Sequence, residues 1–298
     1  MSEKKSILRK CTDKLFGGMA MSWLLVILLA VGSAIVTAVF LIVPVFENTS
    51  FVQMGTTFEA WILLAVFIMS NCRSPLDSAL KTFVFFLISQ PLIYLLQVPF
   101  SAMGWGLFGF YRYWFIWTLL TFPMALGGWY IKQKSWLSFL ILTPVMLFLG
   151  YFGFNYANTA VFSFPYHLIA ALFCFGQILL YLYVFLPDRK KSIAAIGIIA
   201  VAVAAVALLT PQVQVTYNGY YLPDDPSYSA SASIKPEDSE LADISFSSPE
   251  EGTVNINAHR YGTTTVTIQD GGKTYEYTLR IQNEKGHDTM EIVPASEK

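Results

Sequence analysis

The chain has 298 residues, of which 55% are hydrophobic and only 13% are charged, about half the charged fraction of an ordinary soluble domain. Its net charge of −1 hides an asymmetry. Up to Pro211 there are thirteen Lys and Arg against six Asp and Glu, and after it six against fourteen. The acidic part has no basic face to neutralise phosphates, which argues against nucleic-acid binding.

Residues 1–19 are basic and precede a long apolar run from Met19 to Val45. That run exceeds the apolar core of a signal peptide, and no convincing small-x-small cleavage site follows it. We therefore predict a cytoplasmic basic N-terminus followed by an uncleaved first membrane helix.

The segment 20–210 contains apolar stretches of the length needed to cross a bilayer. Six are clear: Ala20–Val45, Thr82–Phe100, Trp114–Ile131, Trp136–Phe154, Phe164–Leu186 and Ile193–Thr210. A seventh, Phe58–Cys72, is short and begins beside Glu59. If it spans, seven basic loop residues face the cytoplasm and one, Arg112, faces outward, as the positive-inside rule favours. The sequence thus predicts a seven-helix domain in the plasma membrane, with the N-terminus inside and the C-terminus outside.

After the helices the pattern changes to short alternating segments rich in Val, Ile, Thr and Tyr, which are typical of strands. We predict a linker and first strand over 211–226 and a small β-sandwich over 227–298. The pair Gly271 and Gly272 predicts a tight hairpin turn. The stretch Glu284–Lys298 is expected to be frayed, apart from a short strand at Met290–Val293. The expected strands are Gln212–Leu222, Ser227–Ile234, Ala242–Ser247, Thr253–His259, Thr263–Gln269 and Lys273–Gln282.

Two segments of the C-terminal quarter carry a family resemblance: Glu251–Ile268, EGTVNINAHRYGTTTVTI, and Tyr275–Ile281, YEYTLRI. With the Gly-Gly hairpin between them, they resemble the immunoglobulin-like modules of bacterial surface proteins. The resemblance implies an all-β module that displays a surface or acts as a spacer and is not an enzyme. It also implies a bacterial cell envelope. The helical part resembles no family that we recognise.

Amides and prolines lie near the expected bilayer centre: Gln90, Pro91, Pro123, Pro144 and Gln177. A proline inside a helix frees a carbonyl, so three such helices could enclose a polar cavity. The alternative is structural, because proline is common in membrane helices and glutamine often joins them by hydrogen bonds.

At the predicted outer ends of the helices, Glu59, Arg112 and His167 are candidates for contact with a ligand or with lipid headgroups. For Arg112, anchoring of a helix end is the alternative. The three cysteines form no metal-binding or redox motif, and no nucleotide-binding motif is present. The sequence predicts no cofactor and no metal site.

Three functional hypotheses follow. The first is a non-enzymatic scaffold or accessory subunit that displays the β-domain and binds other membrane or cell-surface proteins. The second is a transporter or channel-like unit lined by the central amides. The third is an enzyme acting on a lipid or lipid-linked substrate at the outer face, in which Glu59 and His167 supply an acid and a base and Arg112 binds phosphate.

Overall fold

The computed structural model describes residues 7–47, 49–162, 164–209, 213, 215–223, 227–284 and 287–295. The chain divides into two compact units. The first comprises residues 1–160 and 165–203, and the second comprises 161–164 and 204–298. The first unit is helical, whereas the second contains two antiparallel β-sheets.

The helices of the described residues are α1 (Ile7–Leu15), α2 (Trp23–Ile42), α3 (Ser50–Thr56), α4 (Glu59–Asn71), α5 (Pro75–Gln97), α6 (Phe108–Gly128), α7 (Trp136–Phe162), α8 (Leu168–Phe185) and α9 (Arg189–Leu209). The start of α5 is encoded locally. Ser74 accepts a hydrogen bond from the backbone N–H of Asp77, and Pro75 occupies the first helical position.

Among the described residues, α2 and α5 to α9 lie in six stretches long and apolar enough to cross a membrane. The predicted helical region is therefore confirmed, and its long apolar helices are consistent with a multi-pass membrane protein. The predicted Phe58–Cys72 helix corresponds to α4, whose thirteen residues are short for a span. Only together with α3, from which it is bent by 55°, does α4 pass the same test. In the described part of the chain there are thus six candidate spans, or seven if this bent pair counts as one.

Small residues bring α2 close to α5. Ala30, Ala34 and Ala38 recur at four-residue spacing and are all buried, so they form one face of α2. In the resulting core, Val26, Ala30 and Ala34 lie with Phe85 and other large side chains of the neighbouring helices. This close approach is the usual way in which membrane helices associate.

A second core joins α7 to α8 and α9. A Cβ atom at Gly153 would lie 3.0 Å from the Cβ of Cys174, and one at Gly150 would lie 3.1 Å from Ile199. The two glycines therefore allow α8 and α9 to contact α7 closely. Tyr181 of α8 is fully buried within this core.

The β-domain has two antiparallel sheets, ordered β1-β4-β3 and β2-β5-β6-β7. Their inward side chains form one core, in which Val254 and Ile256 lie with Val266, Ile268 and Leu279 of the other sheet. The strands are β1 (Val215–Tyr221), β2 (Ser233–Pro236), β3 (Ala242–Ser248), β4 (Thr253–Ala258), β5 (Gly262–Asp270), β6 (Lys273–Glu284) and β7 (His287–Pro294).

The predicted hairpin is confirmed: Asp270 pairs with Lys273 across Gly271 and Gly272, which both have positive φ. In the stretch expected to be frayed, the short strand predicted at Met290–Val293 is present but longer: β7 pairs with β6 over eight residues, His287–Pro294, whereas 285, 286 and 296–298 lie outside the described residues. Of the predicted linker and first strand, 211, 212, 214 and 224–226 lie outside the described residues, and β1 occupies Val215–Tyr221.

Candidate functional site

The bend between α3 and α4 centres on Thr57 and Phe58, which we call the junction. Thr56 and Thr57 each donate a hydroxyl hydrogen bond to a backbone carbonyl four residues earlier, which competes with continuation of the helix. Thr57 has an extended backbone conformation, which ends α3, and the ring of Phe58 packs against Trp114 and Trp117 of α6.

Glu59, the first residue of α4, is 0% exposed. This corrects the expectation that its side chain reaches water or lipid headgroups. The Tyr156 hydroxyl donates to Glu59 Oε1 at 2.5 Å, and Thr57 Oγ1 contacts Glu59 Oε2. Tyr156 and Thr57 are functional candidates that the sequence did not reveal, because only the packing of α7 against the junction brings them to the carboxyl.

Gln177 of α8 completes this cluster. Its Nε2 donates to the backbone carbonyl of Glu59 at 3.0 Å, and its Oε1 accepts from the Tyr181 hydroxyl at 2.8 Å. Gln177 therefore joins α8 to the start of α4, which is the structural alternative considered from the sequence.

Gln90 has different surroundings. It lines a cavity of about 180 Å³ together with residues of α2, α3, α4, α5 and α6, among them Thr37, Trp61, Tyr94 and Trp114. Its side chain is 5% exposed, and within the described part of the chain it has no hydrogen-bond partner. An amide in such a position can bind a guest with a donor and an acceptor.

The three prolines do not surround this cavity. Pro91, Pro123 and Pro144 lie inside α5, α6 and α7, and each helix continues through its proline. Pro123 and Pro144 are on the exposed surface of the unit. The sharp bend in the apolar helices lies instead between α3 and α4, which contain no proline.

The three outer-end candidates do not form one site. His167 precedes α8 in the left-handed conformation, and its buried ring stacks on Tyr156 with centroids 5.9 Å apart. Glu59 and His167 thus contact the same tyrosine. Arg112 is exposed on α6 and has no ion-pair partner among the described residues.

The opposite end of α4 holds a dense polar cluster. The Asn71 side chain accepts from the N–H groups of Gly17 and Met19 at 3.0 and 2.9 Å. Its Nδ2 donates to the carbonyls of Leu15 and Phe67 at 2.6 and 2.8 Å. One amide therefore ties the segment after α1 to the end of α4.

Two lysines also donate hydrogen bonds to backbone carbonyls at this end of α4. Lys81 is 6% exposed; its Nζ lies 2.6 Å from both the Met21 carbonyl oxygen and Asp77 Oδ1. Lys132 donates to the Cys72 carbonyl at 2.7 Å.

In the β-domain, Tyr228 is buried and its hydroxyl lies 2.8 Å from that of Tyr277, whereas Tyr221 is exposed. Burial, together with a hydrogen bond to Asp288, raises the pKa of Tyr261 to about 12. Within the described ranges, the three cysteines are free thiols and no group of His, Cys, Asp and Glu could hold a metal ion.

Comparisons of the chain with protein-family models, curated proteins and solved structures found no match.

Proposed function

We propose that the chain is a multi-pass membrane protein of the bacterial cell envelope that displays an immunoglobulin-like domain outside the cell. In this proposal it is a non-enzymatic scaffold or accessory subunit. The observation that carries the proposal is a bundle of apolar helices followed by a β-domain with its own hydrophobic core.

The strand order supports an immunoglobulin-like assignment. Immunoglobulin domains place strands A, B, E and D in one sheet and C, F and G in the other. The order β1-β4-β3 corresponds to B-E-D, and β2-β5-β6 corresponds to C-F-G, with β7 added beside G. Tyr261 immediately precedes β5, where these domains have a conserved tyrosine near the start of strand F. Here its hydroxyl donates to Asp288, whereas the conserved tyrosine bonds to backbone.

The placement of lysines supports an inside N-terminus. Lys81 and Lys132 lie at the same end of α4, where each donates to a backbone carbonyl. Basic residues gathered at one end of a membrane bundle favour the cytoplasmic side for that end.

A photo-crosslinking amino acid at Tyr221, on the exposed edge strand β1, tests the scaffold role in intact cells. We expect a discrete crosslinked product with another envelope protein, and none from Lys273 in the β5–β6 turn. Crosslinks to copies of the chain alone, or equal yields at both positions, would contradict the scaffold role.

A small-solute permeation unit is the second candidate, because Gln90 faces a cavity large enough for several water molecules. In proteoliposomes, Gln90→Leu should abolish swelling in small neutral solutes such as urea or glycerol while the variant stays folded. Gln133→Leu, at an exposed position, is the control. Swelling that is unchanged in Gln90→Leu, or absent in the unaltered protein, would exclude permeation of these solutes through the cavity.

A further inference from the structure

The cavity lined by Gln90 is bounded by uncharged residues. In the described structure its wall contains no Asp, Glu, Lys, Arg or His. An ion would lose its hydration there without gaining a partner of opposite charge, which is costly. A guest of this cavity must therefore be neutral.

Helix α5 presents a polar face to the cavity. Gln90, Tyr94 and Gln97 follow one another at spacings of four and three residues, so they lie on one side of the helix, and all three line the cavity. Gln97 uses its Nε2 to donate to the Ile93 carbonyl at 3.0 Å. By contrast, the Gln90 amide and the Tyr94 hydroxyl have no hydrogen-bond partner in the part of the chain that the structure describes.

The Gln90 amide reaches the cavity and is not enclosed by protein. On the same helix, the hydroxyls of Thr82 and Ser89 also lack a partner among the described residues, but protein atoms cover them. The polar atoms of Gln90 are not covered in this way, although the residue is only 5% exposed. Its unused donor and acceptor therefore face free space.

Thr37 of α2 supplies a second buried polar group. It is 6% exposed, lines the cavity and forms no hydrogen bond within the described ranges. A Cβ atom at Gly55 would lie 3.7 Å from Thr37 Oγ1, so the glycine leaves the space beside this hydroxyl open. Polar groups with unused hydrogen-bonding capacity thus reach the cavity from two helices.

The aromatic part of the wall is held in place by its own contacts. The Trp61 indole donates to the Gly55 carbonyl at 3.0 Å, and its ring contacts the ring of Phe85. Trp114 contacts the ring of Phe58. Two indole rings in fixed positions favour a guest that is itself aromatic, because aromatic pairs gain energy beyond the area that they bury.

The size of the cavity limits the guest further. Its volume is about 180 Å³, whereas an engineered apolar cavity of about 150 Å³ in another protein binds benzene. The space therefore fits a single aromatic ring with one small substituent.

We propose that this cavity is a binding site for a small neutral aromatic carboxamide. The carbonyl oxygen of the guest accepts from Gln90 Nε2, its N–H donates to Gln90 Oε1, and its ring contacts Trp61 and Trp114. The site goes beyond the scaffold and permeation roles, because binding requires neither a partner protein nor passage of a solute.

Equilibrium dialysis of benzamide against the full chain in detergent micelles tests the proposal, with protein-free micelles at the same detergent concentration as the blank. We expect saturable binding of one benzamide per chain. Acetophenone has a similar shape but no donor, so it should bind about tenfold more weakly because Gln90 Oε1 stays unpaired. Benzoate, which is ionised at neutral pH, should show no saturable binding. Absence of saturable benzamide binding, or equally tight binding of acetophenone or benzoate, would overturn the proposal.

Gln90→Met removes the amide, keeps a side chain of similar length and should weaken benzamide binding by about tenfold or more. Gln133→Met is the matched control, because it makes the same change at an exposed position and should bind benzamide as the unaltered protein does. Equal affinities in these two variants would show that benzamide binds elsewhere and would contradict the proposal. The comparison of the three ligands uses the unaltered protein, so it decides the question even if Gln90→Met does not fold.

Discussion

The two ends of α4 are both held by buried polar side chains, but they use different chemistry. At one end the neutral Asn71 amide satisfies four backbone groups with fixed donors and acceptors. At the other end the fully buried carboxyl of Glu59 accepts hydrogen bonds from two side-chain hydroxyl groups, those of Thr57 and Tyr156. The comparison separates an attachment in which one amide binds four backbone groups from one in which a carboxyl binds two side-chain hydroxyls.

The largest effect should come from Asn71→Leu, which leaves four backbone groups of the Asn71 end without their partner. Each unsatisfied buried group costs about 1–3 kcal/mol, partly recovered by water, so we expect a loss of about 4 kcal/mol in unfolding free energy. Denaturant titration of the full chain in detergent micelles measures this. Asn158→Leu in α7 is the control, because its half-buried side chain has no hydrogen bond within the described residues. Equal losses of unfolding free energy in Asn71→Leu and Asn158→Leu would show that the four hydrogen bonds of Asn71 do not stabilise this end of α4.

Lys81→Met should cause the next largest loss of unfolding free energy. It removes a hydrogen bond to the Met21 carbonyl and leaves Asp77 without its ion-pair partner. Breaking a buried pair costs about 3–5 kcal/mol, but Asp77 is partly exposed, so we expect about 2 kcal/mol. The same titration checks the value, and adding Asp77→Asn should restore part of the loss. A double variant less stable than Lys81→Met would show that the unpaired carboxylate is not the cause.

Tyr156→Phe should cost less, about 1 kcal/mol, because it removes one hydroxyl donor from the Glu59 end. Tyr151→Phe, at an exposed tyrosine of the same helix, should cost nothing measurable. If Tyr156→Phe destabilises the protein more than Asn71→Leu, the Glu59 end is the stronger attachment and the comparison is reversed.

The smallest effect concerns the pH dependence of stability in the β-domain. This domain serves as a comparison for the apolar helices. Hydrogen bonds from the hydroxyl and backbone N–H of Ser229 hold the pKa of Asp270 below its usual value. A lowered folded-state pKa contributes stability above the ordinary carboxyl pKa, and that stability is lost as pH falls through the folded value. The protection factors for amide hydrogen exchange in the β5–β6 hairpin, which compare each rate with that of the unfolded chain at the same pH, should therefore fall on acidification, and Asp270→Ala should weaken this dependence. If the pH dependence is unchanged in Asp270→Ala, a titratable group other than Asp270 causes it.

Some of this structure could be predicted from the sequence and some could not. Length and apolarity identify the long helices, and alternation with Gly271 and Gly272 identifies the β5–β6 hairpin, because these signals are local. The sequence does not distinguish Gln90 from Gln177, since both are glutamines in apolar helices. Their roles differ because Gln177 meets a backbone carbonyl and Gln90 faces a cavity. The burial of Glu59 depends on Tyr156, 97 residues away in the chain.

The most direct test of the membrane arrangement is labelling of single cysteines in intact cells, in a background without the three native ones. Leu76, Gln133 and Lys190 are exposed at the predicted inner ends, and Trp105 and Ser247 are exposed at the predicted outer end and in the β-domain. If α3 and α4 together cross the membrane, the first three positions are shielded and the last two react with an impermeant reagent. Shielding of Ser247 together with labelling of Leu76 would show that the bent pair does not span, and would contradict display of the β-domain outside the cell.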